Sequence, residues 1–142
     1  MARRVLIADA NDLFRDTLCQ MLRSTEEGYT IAGDVRTGVE AIAETARLVP
    51  DLIILELQFP QLSGFDVMAA VRQNQPGVNI LVLTLRCNAA SLKRSLQAGA
   101  NGYCTKTSGR ATILEAVAKV AAGGAYTSPD MRAIVRGDAP NL

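Results

Sequence analysis

The chain contains no histidine and no tryptophan. Without histidine, imidazole-based catalysis and imidazole-ligated metals are excluded. Its three cysteines, Cys19, Cys87 and Cys104, are odd in number and lack metal-site spacing. No export signal follows Met1-Ala2-Arg3-Arg4, so disulfides are not expected and a reducing, cytoplasmic setting is. No apolar run approaches the roughly 18–20 residues a membrane span needs. A net charge of +1 leaves no basic footprint for nucleic acid on the chain as a whole. Apolar residues at 49% of 142 are enough to bury the core of one domain and too many for disorder.

What is present is a regular alternation. Four short apolar runs are too short for helices: Val5-Leu6-Ile7-Ala8, a weaker one over Tyr29–Val35, Leu52-Ile53-Ile54-Leu55 and Ile80-Leu81-Val82-Leu83. Gly102-Tyr103-Cys104-Thr105 makes a fifth. Helical patterns separate them. Asn11 caps a first helix with Phe14, Leu18, Met21 and Leu22 inward. Thr37 with Glu40 starts a second, whose stripe reads Val39, Ile42, Ala43 and Ala46. Ser63 or Asp66 caps a third carrying Phe65, Met68 and Val71. Leu92 and Leu96 mark a fourth, ended by Gly99; Ile113, Val117 and Val120 mark a fifth, ended by Gly123-Gly124.

Five strands alternating with five helices require parallel pairing and right-handed crossovers. Runs apolar on both faces suit a sheet covered on both sides. The expected fold is therefore an α/β, three-layer, doubly wound five-stranded parallel sheet of flavodoxin-like order 2-1-3-4-5. Ligand chemistry in such sheets collects at the carboxyl ends of the strands, at the switch point between strands one and three. Asp9 and Glu56 end those two strands; Thr84 and Lys106 end the neighbouring two. Two carboxylates, a hydroxyl and a lysine there point to phosphoryl or cation chemistry. No phosphate-cradling glycine loop of the G-x-x-x-x-G-K-[ST] kind is present. A flavin enzyme would need a Ser/Thr/Gly loop where Asp9-Ala10-Asn11-Asp12 stands; an acid/base enzyme on Asp9 and Glu56 is the other enzymatic alternative.

Val5–Asp9, Leu13-Phe14-Arg15, Pro50-Asp51-Leu52, Pro60 with Gly64, Leu83-Thr84, and Gly99–Tyr103 with Lys106 resemble the receiver domain of two-component response regulators. The resemblance covers residues 3–124. Gly123–Pro129 looks like the segment leading into the linker of NarL/FixJ-type receivers. It implies a CheY-like fold, a histidine kinase as phosphoryl donor, Mg²⁺ beside an acceptor aspartate, and no activity beyond self-phosphorylation. It implies that Thr84 is the switch hydroxyl, Tyr103 the switch aromatic and Lys106 the phosphate-pairing lysine. It also implies a homodimer, through helix four, strand five and helix five or through helices one and five.

Three positions depart from that pattern. Glu56 stands at the phosphoacceptor, its carboxylate one C–C bond, about 1.5 Å, further out. In-line transfer is mostly positioning, and an offset of that order costs about a hundredfold. Ala10 replaces the second acid of the metal pocket, leaving only Asp9 and Glu56, so Mg²⁺ binding is expected to be weak or absent. Leu85 stands where a small residue is usual and is expected to crowd the pocket. The expectation is an atypical receiver, with Glu56 either imitating a phosphorylated aspartate or lining an inert pocket. Residues 125–142 are expected to form a tail with one helical stub, Ser128 to Val135, ended by Gly137 and Pro140. This tail would lead to a DNA-binding domain, or else the chain is a stand-alone interaction module. DNA contact is expected only through such a domain, and none with membrane.

Overall fold

The structure, a computed structural model, describes residues 2–137. The strands are β1 (Arg4–Ala8), β2 (Thr30–Val35), β3 (Leu52–Leu55), β4 (Asn79–Thr84), β5 (Gly102–Thr105) and β6 (Tyr126–Thr127). The helices are α1 (Asp12–Arg23), α2 (Gly38–Leu48), α3 (Gly64–Asn74), α4 (Ala89–Ala98), α5 (Arg110–Ala121) and α6 (Pro129–Arg136). The sheet runs β2-β1-β3-β4-β5-β6, and every paired neighbour is parallel. The expected doubly wound order is thus present, extended by a sixth strand.

Alternate residues of the buried strands feed opposite layers. Leu6 and Ala8 of β1 join Ile53 and Leu55 of β3 beneath α2, α3 and α4. Val5 and Ile7 join Leu52 and Ile54 beneath α1 and α5. Side-chain caps start the first four helices: Asn11, Thr37, Ser63 and Asn88 accept from Phe14, Glu40, Asp66 and Ser91 N–H respectively. Gly99 ends α4 at a φ of 110°, a conformation that favours glycine.

Two helices turn a different face inward from the one their apolar residues mark. In α2 the buried residues are Gly38, Ala41 and Thr45, while Val39, Ala43 and Ala46 are exposed. The reason is closeness of approach. A Cβ on Gly38 would lie 3.0 Å from both Leu62 O and Val67 Cγ2. Thr45 tolerates burial because its hydroxyl donates to Ala41 O at 2.6 Å. In α4, Leu92 is buried but Leu96 is not, and Ser91 and Ser95 take the inner positions.

The segment after α5 is more than a tail. Tyr126–Thr127 pairs with Gly102–Tyr103 along the outer edge of β5. Ser128 N–H donates to Tyr103 O at 3.0 Å, and α6 then packs its Met131 fully into the layer shared with Leu92 and Tyr103. Asp130 fastens it: Oδ1 accepts from Ser128 Oγ at 2.7 Å, and Oδ2 accepts from Thr105 Oγ1. Gly137 ends α6 at a φ of 77°; Pro140, the other expected stop, lies outside the described residues. Two-residue strands and an eight-residue helix are weak local signals. Burial of Met131 and capture of Asp130 stabilise them.

Candidate functional site

Parallel register carries β1 and β3 to a common end, with Ala8 opposite Leu55. The ladder continues one residue further: Glu56 N–H donates to Ala8 O and Asp9 N–H to Val35 O, both at 3.0 Å. Asp9 and Glu56 are thereby set side by side, both buried. Lys106 enters from the 3₁₀ turn Lys106–Ser108 at the end of β5. Its Nζ lies 2.7 Å from Asp9 Oδ2 and 2.8 Å from Glu56 Oε2. The Phe14 ring closes over the ammonium, 4.4 Å from Nζ to the ring centre. Only 9% of the Lys106 side chain reaches solvent.

The second oxygen of each carboxylate is also engaged. Asp9 Oδ1 accepts from Asn11 N–H at 2.8 Å, and Glu56 Oε1 accepts from Leu57 N–H at 2.6 Å. The additional methylene of glutamate therefore folds its carboxylate back over its own strand end. Arg15 supports the pair from below, donating to Asp9 O at 2.8 Å while tied to Asp12 and Asp34. Burial alone would push the Lys106 ammonium down. The hydrogen bonds and charges of Asp9 and Glu56 outweigh it and hold the lysine above its ordinary value.

Of the residues singled out from the sequence, Asp9, Glu56 and Lys106 meet. Thr84 is buried at the neighbouring strand end, but its Oγ1 accepts from Arg86 N–H at 3.3 Å. Tyr103 is fully buried and its hydroxyl donates to Arg86 O at 2.7 Å. Burial pushes that phenol well above its usual range. Ala10 is exposed and brings no oxygen. Leu85 is 67% exposed, so its side chain does not fill the pocket. The cover formed by Phe14 was not anticipated, since its spacing marks it only as core.

The donor set does not fit Mg²⁺. That ion requires near-octahedral oxygen coordination. Here one oxygen of each carboxylate is held by an ammonium, the other by a backbone N–H, and position 10 offers a methyl group. Among the described residues, no group of three or more His, Cys, Asp or Glu is placed to hold a metal.

The response regulator receiver domain family matches residues 5–118. The chain belongs to that family. Over 128 residues this receiver is 30% identical to the response regulator GacA of Pseudomonas viridiflava, spanning 90% of this chain and 59% of the relative. It is 31% identical to the transcriptional regulatory protein LnrK of Bacillus subtilis over 130 residues, 92% of this chain and 59% of LnrK. The receiver thus spans well under two thirds of either relative. Its fold superposes on a LuxR-family two-component response regulator from Aurantimonas sp. SI85-9A1 with a TM-score of 0.91 at 25% identity, covering 97% and 98% of the two chains. No helix among the receiver's described residues is long and apolar enough to cross a membrane.

Proposed function

We propose that this receiver works without aspartyl phosphorylation, with Glu56 standing in for a phosphorylated aspartate. The observation that carries this reading is the Glu56–Lys106 pair at 2.8 Å, with Tyr103 turned fully inward. A phosphoryl group on an aspartate would present an anion to the same ammonium, and the Glu56 carboxylate presents one there. The inert-pocket alternative draws on Thr84, whose hydroxyl engages Arg86 N–H. The incoming phosphoryl group would have to displace a buried ion pair without the metal that ordinarily neutralises its charge, which disfavours transfer.

Acetyl phosphate with Mg²⁺ is expected to leave the intact mass of the protein unchanged. Stoichiometric phosphorylation at Glu56 would overturn the reading. Glu56→Asp combined with Ala10→Asp is expected to gain Mg²⁺ binding over wild type in a calorimetric titration, because it restores two ligands at their usual reach.

The names of the relatives support a wider role. The proposed whole is a transcription regulator of helix-turn-helix type, with this receiver as its N-terminal regulatory module and DNA contacted only by the other domain. A stand-alone protein-interaction module is the alternative. A histidine kinase is not required under this reading, although one could still dock; the receiver itself is not proposed to be an enzyme, and a cytoplasmic site suits it. Of the two expected homodimer surfaces, the proposal favours α1 and α5. β6 occupies the outer edge of β5 and α6 leans on α4, so the alternative surface of α4, β5 and α5 is partly covered. Light scattering is expected to show a mass rising towards that of a dimer at high micromolar concentration. A constant monomer mass would refute self-association of this chain.

A further inference from the structure

We propose that Asp130 is a positioning residue for Lys106, so that the closure of α6 against β5 and the seating of the ammonium on Asp9 and Glu56 are coupled. The first observation is where donors converge. Asp130 Oδ1 accepts from Ser128 Oγ at 2.7 Å and from Met131 N–H at 2.8 Å. Oδ2 accepts from Thr105 Oγ1, and Cys87 Sγ of the β4–α4 loop lies 3.9 Å from it. Burial would push this carboxyl up. The hydrogen bonds from Ser128, Thr105 and Met131 N–H outweigh burial and hold it below its ordinary value. Asp130 is therefore an ionised group that only accepts.

That fixes the protons around it. The Thr105 hydroxyl has one hydrogen and gives it to Asp130. In the 2.7 Å contact between Thr105 Oγ1 and Ser108 Oγ, Ser108 is therefore the donor. The Ser128 hydroxyl likewise gives its hydrogen to Asp130 and accepts from Thr105 N–H at 3.3 Å. Hydrogen bonds aligned in one direction reinforce one another. These all end on one carboxylate. They hold Thr105, the residue before the 3₁₀ turn that carries Lys106, and Ser108, the last residue of that turn.

The second observation is alternation. Neighbouring strand residues point to opposite faces. Tyr103 packs in the layer that contains Met131, Cys104 in the layer against Phe14, and Thr105 returns to the α6 side. Lys106, next in line, reaches Phe14 and the two carboxylates on the other side. One stretch of backbone is thus held from both faces, by Asp130 through Thr105 and by Asp9 and Glu56 through Lys106. Loosening either anchor frees the backbone that the other depends on, and such coupling is reciprocal. Only the Lys106 pairs are needed for this, whether or not Glu56 stands in for a phosphorylated aspartate.

The test uses the whole 142-residue chain, whose lysines are Lys93, Lys106 and Lys119. Acetylation by an N-hydroxysuccinimide ester, read by peptide mass spectrometry, is expected to mark exposed Lys93 and Lys119 quickly and shielded Lys106 slowly. Asp130→Ala is expected to speed Lys106 alone by at least about tenfold, the scale on which losing a hydrogen bond to a charged group shifts a local opening. Thr105→Val keeps the shape of the strand end, leaves Asp130 its bonds to Ser128 and Met131, and is expected to do the same. Val71→Ala, a cavity in the buried face of α3, is the control for general destabilisation. It is expected to leave the ratio of Lys106 to Lys93 labelling as in wild type. Among the described residues, Glu56 and Asp130 share no hydrogen-bond partner. In a urea cycle, Glu56→Gln with Asp130→Ala is nevertheless expected to lower the midpoint by less than the sum of the separate effects. Unchanged Lys106 labelling in either Asp130→Ala or Thr105→Val overturns the proposal. So does equal acceleration in Val71→Ala, or an additive cycle.

Discussion

Lys106→Met is expected to destabilise the protein by about 3–5 kcal/mol, the range for stripping one partner from a buried ion pair. The ammonium is the shared counterion of Asp9 and Glu56, 2.7 and 2.8 Å away. Methionine fills much of the space beneath Phe14 but leaves two buried carboxylates facing each other. Urea denaturation measures the loss as a lower midpoint at unchanged slope. A second substitution separates charge from packing. In the Lys106→Met background, Glu56→Gln is expected to recover stability, because it removes one of two unpaired anions. In wild type the same change is expected to destabilise. A cycle showing simple additivity would mean that the pair is not coupled.

The pH dependence has a fixed sign. The folded lysine is held above its ordinary value of 10.5. Its contribution is therefore complete below about pH 10.5 and is lost as pH rises through the raised folded value. The gap in midpoint between wild type and Lys106→Met is expected to be constant at neutral pH and to narrow above that point. A gap that does not narrow in alkali would show that the ammonium carries no stabilisation.

Gly64→Ala is expected to be the most damaging single methyl group in the chain. A Cβ there would lie 2.5 Å from Glu56 O and 2.7 Å from Leu57 Cα, both backbone atoms. Gly64 N–H also donates to Leu57 O at 2.8 Å, which holds the start of α3 against the end of β3. Neither atom can step aside as a side chain can, so the turn must open, at about 1–3 kcal/mol or more. The atoms displaced belong to Glu56 and Leu57, so the bond from Leu57 N–H to Glu56 Oε1 is expected to loosen too. Hydrogen exchange at Leu57 amide is expected to quicken well beyond what the stability change alone gives. Gly28→Ala is the control. No atom lies within 4 Å of its Cβ, and only its φ of 73° opposes the change. It is expected to cost less and to leave Leu57 exchange unaltered. Equal effects at the two glycines would remove the case for close approach at Gly64.

The strand order and the meeting of Asp9, Glu56 and Lys106 at one end of the sheet were legible in the chain. Buried parallel strands must be apolar on both faces, so Val5–Ala8 and Leu52–Leu55 announce themselves, and the residue after each is carried to the same rim. The caps Asn11, Thr37 and Ser63 are local chemistry and were equally readable. The inward faces of α2 and α4 were not. Periodicity assumes that the most apolar stripe is the buried one, whereas Gly38, Ala41 and Thr45 win in α2 because small residues permit closer approach. In α4, Ser91 and Ser95 take the inner positions, and the Ser95 hydroxyl is met by the helix itself through Ser91 O, which no hydropathy count registers.

The tail shows the same division. A proline after a serine marks a helix start, so α6 could be read from Ser128-Pro129. That Tyr126–Thr127 would pair with β5, and that Asp130 would reach Thr105, depended on contacts between residues about 25 positions apart. Glu56 is the sharpest case. The sequence by itself determined that a glutamate, with Ala10 beside Asp9, ends the central strands of a doubly wound sheet. Only the tertiary structure decided that this carboxylate folds back onto Leu57 N–H, meets Lys106 beneath Phe14 and leaves the Thr84 hydroxyl to Arg86. The physical reason is that an extra methylene adds a rotatable bond. Chain order says where its carboxylate begins, but packing and the nearest donors decide where it ends.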